Sequence, residues 1–158
     1  MNKVTTNLLF LLIVTLTLGC REELEPKPFE YPRLFTGTVS KTWALTIMEE
    51  TLNGELVDRF TVGCAADDRF TFYATSDRLY EVKSGNTLCF EGEESTLTDS
   101  WAFNNATATL TIVVPFLSSS RLPFIVRDVD TDDLELEIFF DEEGTGSYKL
   151  FFELVDEG

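Results

Sequence analysis

The residues best suited to chemistry in this chain are carboxylates. Asp128, Asp130, Asp132 and Asp133 set acidic oxygens at alternate positions of one short segment, and hard cations such as Ca²⁺ are bound by oxygens so arranged. An EF-hand loop counted from Asp128 would need Gly at its sixth place and a bidentate Glu at its last, where Asp133 and Phe139 stand. A turn in which Asp bonds its own backbone is the simpler expectation, and no metal is expected. Asp141, Glu142 and Glu143 before Gly144, and Glu91, Glu93 and Glu94, read as solvated loop charges. Glycoside hydrolysis needs two carboxylates held about 5 to 10 Å apart, and nothing in the spacing selects such a pair. With no histidine in the chain, Ser-His-Asp and Cys-His nucleophiles and His-bearing zinc sites are excluded. No Gly-rich phosphate loop, nucleophile elbow or HExxH occurs. Neither enzymatic activity nor a cofactor is expected.

Charge narrows the partners. The 158 residues carry 12 Lys and Arg against 28 Asp and Glu, a formal charge of −16, with the cations scattered. Such a surface repels a phosphate backbone, so nucleic acid is not an expected partner.

The first residues read as an address. A positive Lys3, an apolar run over 8–18 and then Gly19-Cys20 have the layout of a secretory signal over 1–19. The run ends at Arg21-Glu22-Glu23, short of the about 20 apolar residues a membrane span needs. The cysteine placed directly after a small residue resembles the lipobox of bacterial lipoproteins, which implies lipid attachment at Cys20; an ordinary cleaved signal is the alternative. Two or more acyl chains would hold the chain stably on a membrane. Three cysteines leave an odd thiol unless one is consumed. With Cys20 lipidated, Cys64 and Cys89 remain as the one possible disulfide in an oxidising compartment, against two buried free thiols. Arg21-Glu22-Glu23 resembles the signal that sends some Bacteroidetes lipoproteins to the outer face of the outer membrane, or is a solvated charge run. The expected location is the cell envelope, lipid-anchored at the outer membrane, with the leaflet open.

Residues 20–39 hold three prolines and little apolar periodicity and read as an acidic, Pro-rich tether, extended at about 3.1 Å per residue. From residue 40 the apolar period becomes two. Trp43, Leu45 and Ile47 alternate with Thr42, Ala44 and Thr46, and Asn53-Gly54 then supplies a hairpin turn. Further strands are expected over 55–61, 69–75, 78–83, 96–103, 106–114, 124–130, 134–140 and 147–155. The predicted fold for 40–158 is all-β, a small antiparallel up-and-down barrel of about eight strands, with a sandwich as the other arrangement of such a pattern.

The order of several fragments resembles the lipocalin-like domains of Bacteroidetes lipoproteins over about 40–155. They are Trp43-Ala-Leu-Thr, Cys64-Ala-Ala-Asp67-Asp68-Arg-Phe70-Thr-Phe72, Leu88-Cys89-Phe90-Glu91-Gly92-Glu93, the strand bearing Trp101, Thr109-Leu110-Thr111-Ile112 and the hairpin from Val129 to Leu136. The resemblance implies a small eight-stranded lipocalin-like barrel with Cys64 and Cys89 paired. Eight strands enclose an interior that side chains just fill or that holds one small ligand. Trp43, Leu45, Phe70, Phe72, Trp101, Phe103, Leu110 and Ile112 are therefore either core or the lining of an apolar pocket. Two functions follow as expectations. The first is non-catalytic binding of a small hydrophobic molecule inside the barrel. The second is a filled barrel acting through its exterior, as a structural or accessory subunit of an envelope or cell-surface assembly.

Overall fold

The computed structural model describes residues 31–158 apart from Glu142. The expected signal peptide, Cys20 and the start of the tether lie outside the described residues. The protein is all-β, an antiparallel and nearly closed barrel. A helix, α1 (Tyr31–Thr36), precedes strands β1 (Ser40–Leu52), β2 (Glu55–Phe60), β3 (Arg69–Tyr73), β4 (Leu79–Lys83) and β5 (Thr96–Ser100). Strands β6 (Ala102–Asn104), β7 (Thr109–Ile112), β8 (Leu122–Val129), β9 (Asp133–Phe139) and β10 (Gly146–Glu157) follow.

The sheet runs β5-β4-β3-β1-β10-β9-β8-β7-β6, with β2 beside β1. Its two ends, β5 and β6, are halves of one segment joined through Trp101, whose N–H donates to Arg78 O at 2.9 Å. Strands β2 and β3 are likewise successive partners of one edge of β1. Phe60 pairs with Met48 and Phe70 with Trp43, and residues 61–68 loop out between them. Counted as staves, the strands make an eight-membered meander, with β1 and β10 closing the ring along eleven residue pairs from Lys41–Glu157 to Leu52–Gly146.

The register gives the barrel two unlike ends. Strand β1 rises from Ser40 to Leu52, so one end gathers α1, the turns at 74–78, 105–108 and 130–132, and the chain's C-terminal residues. The other, the mouth, gathers the 53–54 turn and the loops at 84–95, 113–121 and 140–145.

Alternation places one row of β1, β3, β4 and β7 to β10 inside. Trp43, Leu45, Phe70, Phe72, Tyr80, Val82, Leu110, Ile112, Phe124, Val126, Leu134, Leu136, Leu150 and Phe152 form one buried cluster. Each large apolar side chain taken out of water contributes about 1.5–3 kcal/mol. The period-two run of β1 slips near Thr46, where the pairing with β10 shifts between Leu45 and Ile47. Met48, not Ile47, is the next buried residue.

Residues 31–36, expected as part of the tether, belong instead to the folded body. Pro32 sits in the first turn of α1, where its missing N–H is no loss. Gly37 closes the helix with a positive φ of 60° and its N–H on Arg33 O at 2.8 Å. Phe35 is fully buried against Trp101 and Phe103, with ring centroids 6.1 and 5.1 Å away. The Trp43 indole N–H donates to Phe35 O at 3.1 Å. Lys41, buried beside this plug, donates to Thr131 O at 2.6 Å and lies 5.3 Å from the Trp43 ring. This end of the barrel is sealed.

Candidate functional site

Seven of the eight residues expected to line the interior belong to its buried cluster. Trp43, Leu45, Phe70, Phe72, Trp101, Leu110 and Ile112 are buried. Phe70 meets Phe152 edge to face at 5.3 Å, and Phe72 meets Tyr80 at 4.9 Å and Trp101 at 6.2 Å. The Tyr80 hydroxyl, in the middle of this cluster, donates to Val113 O at 3.0 Å. Its burial, with Asp99 and Asp68 nearby, pushes its pKa well above the ordinary tyrosine value. Phe103 is only half-buried and packs on Tyr31 and Phe35, 5.2 and 5.1 Å away, as part of the plug. An interior built of interlocked aromatic rings gives up its volume to side chains.

The mouth is different. Of the ten exposed large apolar side chains among the described residues, eight belong to this end: Leu52, Leu56, Val57 and Phe60 on the β1–β2 hairpin, Leu88 and Phe90 in the 84–95 loop, and Phe139 and Phe140 after β9. Leu88 is 51% exposed, and Phe90 and Phe140 49% each. Two hollows flank the 113–121 loop. One, of about 280 Å³, is lined by Phe90, Leu97 and Pro115 with Glu93, Glu94 and Ser119. The other, of about 250 Å³, is lined by Leu117, Leu122, Ile138, Phe139, Phe140 and Tyr148 with Ser118.

Specific bonds hold the loops that shape these hollows. The 61–68 and 84–95 loops are joined by the Cys64–Cys89 disulfide, with Cα atoms 4.9 Å apart. Two neighbouring carboxylates reinforce it: Asp68 accepts from Gly85 N at 2.8 Å and Asp67 from Asn86 N at 2.7 Å. A Cβ at Gly85 would fall 2.0 Å from the Asp67 carboxyl carbon, so a larger residue there would displace that carboxylate from Asn86 N. Glu93 accepts from Cys89 N at 2.6 Å and so folds the loop back on itself. Burial raises the Asp68 pKa, Glu93 and Asp67 push it the same way, and the Gly85 bond only partly offsets them. On the far side of the 113–121 loop, Arg121 grips Asp99 through two nitrogens, Nε donating to Oδ2 at 2.9 Å. That bond keeps Asp99 below the ordinary aspartate range.

The acidic segments fall into place as turns. Asp130 Oδ1 accepts from the backbone N–H groups of Asp132 and Asp133, both at 2.8 Å. These bonds lower the Asp130 pKa. Asp141 Oδ1 accepts from Thr145 N at 2.8 Å, and its Oδ2 accepts from Gly146 N at 2.7 Å and Thr145 Oγ1 at 2.6 Å. The Thr145 hydroxyl in particular holds Asp141 ionised below the usual range.

No protein-family model matches the chain, and no curated protein matches it.

Sequence reasoning placed the disulfide and the interior rows but passed over the mouth, Tyr80 and Phe35. Two signals were present. Leu88 and Phe90 are apolar residues in an otherwise acidic loop, and Leu34-Phe35 are apolar residues in a stretch otherwise typical of a linker.

Proposed function

We propose that the protein is an exported, lipid-anchored barrel that works through its exterior, as an accessory subunit docking a partner at the mouth. The observation that carries this reading is the distribution of apolar surface. Inside, large side chains are buried against one another, and outside, eight of the ten exposed ones among the described residues stand at one end. Clustered apolar exposure of this kind marks an interaction site, whereas scattered exposure would carry no meaning.

Export is supported by the signal-like 1–19 segment, by Cys20 in its lipobox-like setting and by the Cys64–Cys89 bond, which persists in oxidising compartments. The chain enters the barrel through α1, at the sealed end. A tether from Cys20 would therefore join the body at the end opposite the mouth. The choice of exterior over interior is supported by packing, since a carrier of small hydrophobic molecules usually keeps a cavity of about 300–1,000 Å³.

Native mass spectrometry of the protein purified from its own cells tests this reading. A bare polypeptide is expected apart from the N-terminal lipid. A reproducible added mass that organic extraction removes would return the function to the barrel interior.

A further inference from the structure

Resting on that reading of the mouth, we infer that its occupant is a basic polypeptide segment carrying two large apolar side chains, one for each hollow beside the 113–121 loop. Size argues first. At about 280 and 250 Å³, each hollow is smaller than the roughly 300–1,000 Å³ typical of small-molecule sites. Each suits one Leu, Phe or Trp anchor of the kind that dominates protein interfaces. The linings are apolar where an anchor would seat: Phe90, Leu97 and Pro115 on one side, Leu122, Ile138 and Phe140 on the other.

Charge argues for the sign of the partner. Glu93 and Glu94 border the first hollow. Asp141, held ionised by its turn, and Glu143 belong to the loop beside the second. Three cations near the mouth are engaged by the barrel's own carboxylates, Arg59 by Glu49 at 3.1 Å, Lys83 by Glu81 at 3.1 Å and Arg121 by Asp99. With a formal charge of −16 on the whole chain, the field steers a cationic partner in and turns an anionic lipid surface away.

The loop between the hollows argues for a single crossing segment. Ser118, Ser119 and Ser120 lie in this loop, and the last two are exposed. Their hydroxyls can hydrogen-bond a backbone lying across them. Two anchors on one chain also gain over separate ligands, because seating the first raises the effective concentration of the second.

Fluorescence anisotropy with a short fluorescein-labelled Lys/Ser peptide carrying two Trp tests the inference on the folded mature protein. Glu-for-Lys and Ser-for-Trp versions of the peptide serve as comparators. The basic two-Trp peptide is expected to bind, and each comparator to bind at least about tenfold more weakly. Phe90→Ser and Phe140→Ser, both at half-exposed positions that leave the core intact, are each expected to weaken it about tenfold. Glu94→Lys is expected to weaken it several-fold and to reduce its salt dependence. Near-UV circular dichroism of Trp43 and Trp101 confirms that each variant is folded. Equal binding of the Glu version, equal binding of the Trp-free version, or indifference to both Phe substitutions would overturn the inference. So would binding of phosphatidylcholine vesicles with no binding of the peptide. If the peptide fails while native mass spectrometry still shows a bare polypeptide, the basic two-anchor partner is lost but docking by the mouth stands.

Discussion

Asp68 shows how a single side chain can be placed against its own preference. It is 1% exposed, its Oδ1 is bonded by Gly85 N, and its Oδ2 has no partner among the described residues. Burial raises its folded pKa above 3.8, the value it has in the unfolded chain. Between those two values the folded state binds the extra proton, so this group's contribution to stability falls as pH rises through the window. At neutral pH the cost is fully present. Asp68→Asn keeps an oxygen for Gly85 N and removes the charge. It is expected to be more stable than the wild type at pH 7, with the gap closing as pH falls towards 4. Urea unfolding at several pH values measures this, and a variant less stable than wild type at pH 7 would contradict it. Asp99, Asp130 and Asp141 have lowered pKa values. They act in the opposite sense and in another window: their contributions are present above 3.8 and are lost as pH falls below it. The Asp67-Asp68 pair was visible in the sequence, but its role as a loop clamp was not. That role depends on Gly85 and Asn86, 17 and 19 residues further on, folding back to meet it.

Among the elements, the strands were legible and the helix was not, for opposite physical reasons. A strand that buries one face writes that burial into every second residue, as in Leu134, Leu136 and the outward Glu135. Boundaries shifted by up to three residues, as at Thr109 where 106 was expected, and 96–103 was interrupted at Trp101, where one stave changes neighbour from β4 to β7. Helix α1 has only six residues, too few for a period to emerge, and its single buried ring has meaning only once the barrel's end exists to receive it. Phe35→Ala would open that end, and a loss of about 3–5 kcal/mol is expected. Trp101 emission should shift to the red as water reaches the ring, and a melting curve and spectrum unchanged from wild type would show that α1 is not a plug. The loop pair has its own test. Cys64 and Cys89 are 25 residues apart, and the chain-entropy relation gives about 3.5 kcal/mol for closing such a loop. Cys64→Ser with Cys89→Ser is expected to lose about that much on denaturant unfolding, and a loss near zero would mean that the Asp67 and Asp68 bonds alone hold the loops together.

For the molecule as a whole, the asymmetry of the barrel matters more than its closure. The sealed end carries α1, the buried Lys41 and the point where the N-terminal segment joins, while the mouth carries most of the exposed large apolar side chains among the described residues. Beyond the apolar Leu34-Phe35 and Leu88 with Phe90 in polar surroundings, none of this was legible locally. Leu88, Pro115 and Phe140 are far apart in the chain, and only the strand pairings from β4 to β10 bring their loops to one end. The expected interior, by contrast, was legible as rows of large side chains, though their alternation reads the same for a core and for a pocket lining. The most direct test is a ¹H–¹⁵N NMR titration of the folded protein with the basic two-Trp peptide. The account expects shifts confined to residues 84–97, 113–122 and 138–148, with the indole signals of Trp43 and Trp101 unmoved. Shifts centred instead on Trp43, Phe72 and Leu110, or produced by a fatty acid at those interior positions, would contradict it.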